Sequence, residues 1–462
     1  MTPPGRVLVL GGGLAGIAAA LRLAERRVPV TLLETRKRLG GRATSFVDPR
    51  TGETIDNCQH IAMGCCTNYI DLMRRLGGLG LMRWDREQTW LEPGGRRSTI
   101  RPAPLPAPAQ FSPSFAAARF LPAGSKQRVA RALLSLARVR RRDWTGRTFG
   151  DWLDARGQRE PERARFWDPV VISACNLAPA QTDAPVAIKV FQEGFLASAR
   201  AASIGVATVP LVRLYDPAER AVREGGGTVE LGASVTRFDE RSATLSDGRT
   251  LEADRVICTL PWERAAKAAD PGVAASDPRF AGLDALGHSP ILGVHLVFDR
   301  PVLDVPHAVL VDAGTQWVFR KDAAGRRLHA VISAADDWMG LDEPAIVERV
   351  VKDLADRLPA ARRAVVESFR AVKEKRATFA ATPRGERARP GQLPSEPGGV
   401  LLAGCYTQTG WPATMEGAVR SGYMAAAGAL GEAPGSMLVP DLPPRGFLRG
   451  AQRRWTSEEH DT

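Results

Sequence analysis

Glycines at 11, 13 and 16 stand directly behind an apolar run at 7–10 and ahead of an alanine- and leucine-rich stretch. Strand, tight turn, helix is the order that binds the pyrophosphate of a dinucleotide. Gly11 lets the chain turn out of the strand, Gly13 lets phosphate approach the backbone, and Gly16 lets the helix pack close to the sheet. Leu14 and Ala15 open that helix, whose free N–H groups face the anion. A second apolar strand at 29–33 ends on Glu34, followed by Thr35 and Arg36. A carboxylate there suits the ribose hydroxyls of adenosine and disfavours a 2′-phosphate. Gly40, Gly41 and Arg42 then bring flexible backbone and a guanidinium to the first loop, with Arg42 expected to meet phosphate. The chemistry such a unit serves is redox.

The far end of the chain repeats the arrangement. An apolar run at 400–403 leads into Gly404 and Cys405, and a small-residue helix is expected over 413–430. Its start would present a second helix N-terminus to the middle of the cofactor, with Thr409, Gly410, Ala413 and Thr414 contacting it through backbone and hydroxyl groups. Short strands alternate over 228–260, turning at Asp247-Gly248, and the backbone around Val235 is expected against adenine. Both ends of one chain are then expected to meet at the cofactor, and the sequence after the first unit argues for a flavin.

These elements imply an α/β protein: a Rossmann-type FAD-binding domain with an interleaved α+β substrate domain. A chain of 462 residues calls for more than one core. The expected boundaries are 1–80, 205–265 and 385–434 for the FAD domain, and 81–204 and 266–384 for the substrate domain. Residues 435–462, proline- and glycine-rich and then polar, read as a poorly ordered tail. Prolines between 101 and 108 argue against regular helix or central strand over 101–124, although Phe111, Phe115 and Phe120 are unlike a solvated linker. A basic helix follows over 125–142, with Leu133, Leu134, Leu136 and Val139 as its apolar side.

A net charge of +12 points to anionic partners. No zinc-finger or RNA-binding-module signature is present, which leaves a membrane surface ahead of nucleic acid, with 101–142 as the contact segment. No apolar run reaches the about 20 residues needed to span a bilayer. The N-terminal apolar run is better used as the first strand than as a signal peptide, so the expected location is cytoplasmic, peripheral to the cytoplasmic membrane. Six cysteines lack a disulfide or zinc spacing, and no metal site is expected.

Four segments carry a family likeness: 11–42; Asp56-Asn57-Cys58-Gln59-His60; Trp167-Asp168-Pro169 with Ala174-Cys175-Asn176; and 409–422. The chain resembles the flavin-dependent amine oxidase and phytoene desaturase superfamily, and within it the hydroxysqualene dehydroxylases of hopanoid biosynthesis. The resemblance covers about residues 5–432. It implies FAD, a long apolar isoprenoid substrate, and reductive loss of an allylic hydroxyl as water. It implies cofactor contact for Asn57, Gln59 and His60, a catalytic proton for His60, and a place on the substrate side for Asp168 and Asn176. Cys58 stands where the family usually has glycine, and Cys405 where it usually has aspartate. A carotenoid-type desaturase, a flavin amine oxidase and a non-catalytic isoprenoid-binding protein of the same fold remain alternatives.

Overall fold

A computed structural model of the protein describes residues 5–456. The strand Val7–Leu10 lies at the centre of a five-stranded parallel sheet, ordered 228–231, 30–34, 7–10, 255–258, 401–402. Val7 is paired with Val30 on one side and Arg255 on the other. The strand is buried throughout, as a sheet covered on both faces requires. The helix Leu14–Glu25 covers it, and the helix Met415–Ala429 crosses that helix. Their contact depends on Gly422: a Cβ there would lie 2.3 Å from the Ala15 carbonyl oxygen. The two ends of the chain therefore meet, as the two glycine loops require.

A small antiparallel sheet joins 235–238, 242–245 and 250–252, with Gly248 at φ +89° in the expected turn. A seven-stranded sheet contains 88–91, 97–100, 289–298, 307–310, 317–320, 327–333 and 366–378. Along Ser289–Phe298, Leu292, Val294 and Leu296 face a core shared with Ile346, Val350 and Leu354 of the helix Glu343–Arg357. The alternate residues face the loop after Asp56, where a Cβ on Gly293 would be 3.2 Å from the Asn57 carbonyl oxygen. One strand thus carries a core on one face and a site on the other.

Several expectations need correction. Residues 435–456 are not loose. Met437, Leu448 and Trp455 are buried, Asn68 bonds both the N–H and the carbonyl of Val439, and Arg420 pairs with Asp441 at 2.8 Å. Residues 457–462 lie outside the described chain. A short helix, Ser112–Ala117, forms within 101–124, with Pro113 in the first turn where no N–H is needed. In the helix Ala123–Leu136 the inward residues are Ser125, Val129, Ala132 and Leu136, whereas Leu134 is 50% exposed. Of the basic residues, Arg128 turns in to the fully buried Glu162 and Arg141 to Glu193.

Candidate functional site

The two glycine loops lie against each other. Gly13 pairs with Gly40, and a Cβ on Gly41 would be 2.9 Å from the Gly13 Cα. Gly13 itself faces open space, since a Cβ there would meet nothing nearer than Gly41 at 3.9 Å. Leu14 and Ala15 are buried at the helix start. Glu34 ends its strand buried, its two oxygens accepting the N–H groups of Gly12 at 2.7 Å and Arg36 at 2.8 Å. Thr35 and Arg36 are exposed, and the Arg36 guanidinium donates to the Gly41 carbonyl. Ala233 N–H donates to the Glu34 carbonyl, which brings the segment before buried Val235 alongside.

Arg42 connects this loop to the other end of the chain. Its Nη2 lies 3.2 Å from Cys405 Sγ, and its Nη1 donates to the Ala377 carbonyl. Asn57 holds the loop from below, Nδ2 donating to the Arg42 carbonyl at 2.6 Å. Gly404 N–H donates to Ser421 Oγ, Thr409 Oγ1 accepts from Arg389 and from Trp411 N–H, and Thr414 caps the Met415–Ala429 helix through Gly417 N–H. Gly410 adopts φ +67° between them, with Ala413 half-buried just ahead of the cap. Two helix N-termini, an open cradle at Gly13 and a buried carboxylate at the strand end fit the groups of FAD. Cys405 serves as an acceptor for Arg42.

Beside this loop lies a cluster that the sequence did not announce. Lys321 Nζ reaches Asp56 Oδ2 at 3.2 Å and Gln59 Oε1 at 2.9 Å. His295 and His329 stack with ring centroids 3.8 Å apart. Burial, followed by the neighbouring His295 and Lys321 charges, holds His329 far below the ordinary imidazole range. Burial likewise lowers His60, against a bond from Nδ1 to the Cys58 carbonyl at 3.0 Å. Nδ1 must be the donor in that bond, which leaves neutral His60 with a bare Nε2. It is therefore an acceptor near neutral pH and not the proton donor expected of it.

In front of Met415–Ala429 lies an apolar chamber with a cavity volume of about 150 Å³, in part continuous with solvent. Its walls include Met63, Tyr69, Trp90, Trp317, Phe195 and Trp411, and the cofactor-side residues Thr414, Met415 and Glu416 reach it. One wall is a helix that widens into a π-turn over Arg163–Trp167 before Asp168–Cys175. Another follows Ala184–Lys189 with a π-turn over Val190–Leu196. Such widened turns recur at functional sites.

Neither of the expected substrate-side polar residues enters the chamber. Pro169, Val170, Ser173 and Ala174 line it, but Asp168 does not. Burial and the Glu160 charge raise Asp168 to about 6, against Arg163, and the helix runs straight through it. Asn176 ends this helix at φ +55°, donates to the Ser289 carbonyl and Thr378 Oγ1, and accepts from Ala334 N–H. Every polar atom of its side chain is committed to structure. Besides Glu416, the ionisable side chains that enter are Lys189 and Glu193, 2.9 Å apart. Their spacing of four, with opposite charge inside an apolar run, was the available signal. Among the described residues no cluster has the makings of a metal site.

The family of flavin containing amine oxidoreductases matches residues 14–430. The chain belongs to this family. A hydroxysqualene dehydroxylase of Sinorhizobium fredii is 28% identical over 457 residues, covering 93% of this chain and 99% of its own. A 15-cis-phytoene desaturase of Synechococcus elongatus is 26% identical over 458 residues, covering 91% and 95%. The fold matches that of an oxidoreductase from Methanosarcina mazei at a TM-score of 0.69 and 16% identity, over 90% of this chain and 98% of that one. The protein is thus a flavin-dependent oxidoreductase with the mixed α/β, Rossmann-like architecture of the amine-oxidase and phytoene-desaturase superfamily.

Proposed function

We propose that this protein removes the hydroxyl of a long isoprenoid alcohol reductively, converting hydroxysqualene to squalene. The observation that carries the reading is the apolar chamber opening on Thr414, Met415 and Glu416, at the helix start that also fronts the cofactor loops. When bound and reduced, FAD supplies hydride. The chain binds the cofactor through 11–16, Glu34, Arg42 and 404–414, and orients a hydrocarbon chain between aromatic walls. It also keeps water from an allylic cation, which water would otherwise trap. In this reading 1–80, 205–265 and 385–434 hold the cofactor, and 81–204 and 266–384 the substrate.

Such a substrate arrives from a bilayer, and part of the surface suits one. Phe447 is 80% exposed and Leu105 42% exposed. Phe447 N–H donates to the Ala107 carbonyl, while Gln110 bonds the carbonyl of the chamber residue Phe195. This apolar lip therefore adjoins the chamber wall. Arg131, Arg138, Arg140, Arg156 and Arg454 line a surface groove with Leu134 and Trp144, a combination suited to anionic headgroups. Among the described residues no helix is long and apolar enough to cross a membrane, which leaves contact from one side.

An anaerobic single turnover tests the reaction. Reduced, FAD-loaded protein mixed with hydroxysqualene is expected to yield squalene in step with flavin reoxidation. A reducible enzyme that yields none, and instead oxidises phytoene in its oxidised state, would be a desaturase.

A further inference from the structure

We propose that Lys189 and Glu193 form a subsite for one hydroxyl group on an otherwise apolar substrate. The inference rests on the dehydroxylase reading and narrows it to the residues that distinguish an alcohol from a hydrocarbon. Glu193 Oε1 accepts from Lys189 Nζ at 2.9 Å and from Arg141 at 2.5 Å. The other oxygen, Oε2, is buried without a hydrogen-bond partner among the described residues. Lys189 Nζ makes its one hydrogen bond there to Glu193 and lies 4.9 Å from the centre of the Trp411 ring. Both residues line the chamber, and Trp411 belongs to the loop that leads to the cofactor-side helix.

A buried carboxylate oxygen without a donor is unfavourable. A pure hydrocarbon leaves it so. An alcohol donates its O–H to Glu193 Oε2 while its oxygen accepts from Lys189, so each group answers the other. The site would then reject the hydrocarbon product and the desaturase substrate alike, because either would leave its polar atoms unpaired.

The test uses the FAD-loaded protein in mixed micelles and reads ligand-induced change in the flavin absorbance spectrum. The probes are hydroxysqualene, its methyl ether and squalene. The alcohol is expected to bind at least about tenfold more tightly than either of the others, and Glu193→Gln and Lys189→Met to shrink that gap to under about threefold. The ether accepts from Lys189 but has nothing to donate to Glu193. Equal binding of ether and alcohol to the unaltered protein overturns the subsite, even if neither variant folds. Full alcohol preference in FAD-loaded variants overturns it as well. Alcohol preference that depends on both residues, in a protein that forms no squalene, supports the subsite and counts against the reaction alone.

Discussion

At the scale of single residues, the glycine loops and Glu34 meet through the backbone, Gly13 pairing with Gly40 and Gly12 N–H donating to the Glu34 carboxylate. Gly13, Glu34 and Gly41 act locally, each within a few residues of a strand end, so sequence order places them. Asn176 shows where that logic stops. It looked available for substrate, yet it closes a helix in the left-handed conformation and ties three separate segments together. Asn176→Ala is accordingly expected to cost about 1–3 kcal/mol of stability, the penalty for stranding buried partners, while kcat per bound flavin stays within about twofold. Denaturant unfolding and turnover of the FAD-loaded fraction check this. A large fall in kcat with an unchanged unfolding midpoint would return Asn176 to the chemistry. Lys321 escaped notice for the opposite reason: a lysine reads as surface, and only the fold brings it to Asp56.

At the scale of elements, the buried parallel strands and the two small-residue helices were legible because their patterns are unbroken. The strand Val366–Thr378 was not, since its charged residues mask the alternation and most of it is not buried. The 435–456 segment was missed because its few apolar residues, Met437, Leu448 and Trp455, are spaced too widely to show a period. The helix that carries Lys189 into the chamber has a titratable start. Asp183 caps it through Val186 N–H, and burial, then the Glu386 charge, raise its carboxyl to about 7. A carboxyl raised on folding stabilises fully below its unfolded value and loses that contribution as pH climbs through the folded one. Stability should therefore decline between about pH 4 and 7, by at most about 1.4 kcal/mol for each step of one in pH. Asp183→Asn keeps a capping side chain without the charge, so its melting temperature should fall less than that of the parent between pH 5 and 8. Glu193 works in the other direction: burial opposes its ionisation, but Lys189 and Arg141 hold it at about 2. Its contribution fades only in stronger acid, outside this window. Parallel melting curves for the two proteins would show that Asp183 does not titrate there.

At the scale of the whole molecule, the +12 charge acquires a direction. Arg128 and Arg141 are spent internally on Glu162 and Glu193, while the exposed Arg131, Arg138 and Arg140 remain around the groove. The apolar lip at Leu105 and Phe447 joins the segment expected to touch lipid to one expected to be loose, so only the fold could show it. A surface that combines both should bind anionic vesicles in two separable ways. Its electrostatic part, about 1 kcal/mol per engaged arginine, fades at high salt. Its apolar part depends on Phe447. In flotation assays the protein is expected to rise with phosphatidylglycerol-containing vesicles at low salt and not with neutral ones. Phe447→Asp should retain less than about a third of that bound fraction, without changing turnover of detergent-dispersed substrate. If Phe447→Asp floats like the parent, the lip does not enter the bilayer. If neither protein floats with anionic vesicles, the membrane-contact reading of this surface fails.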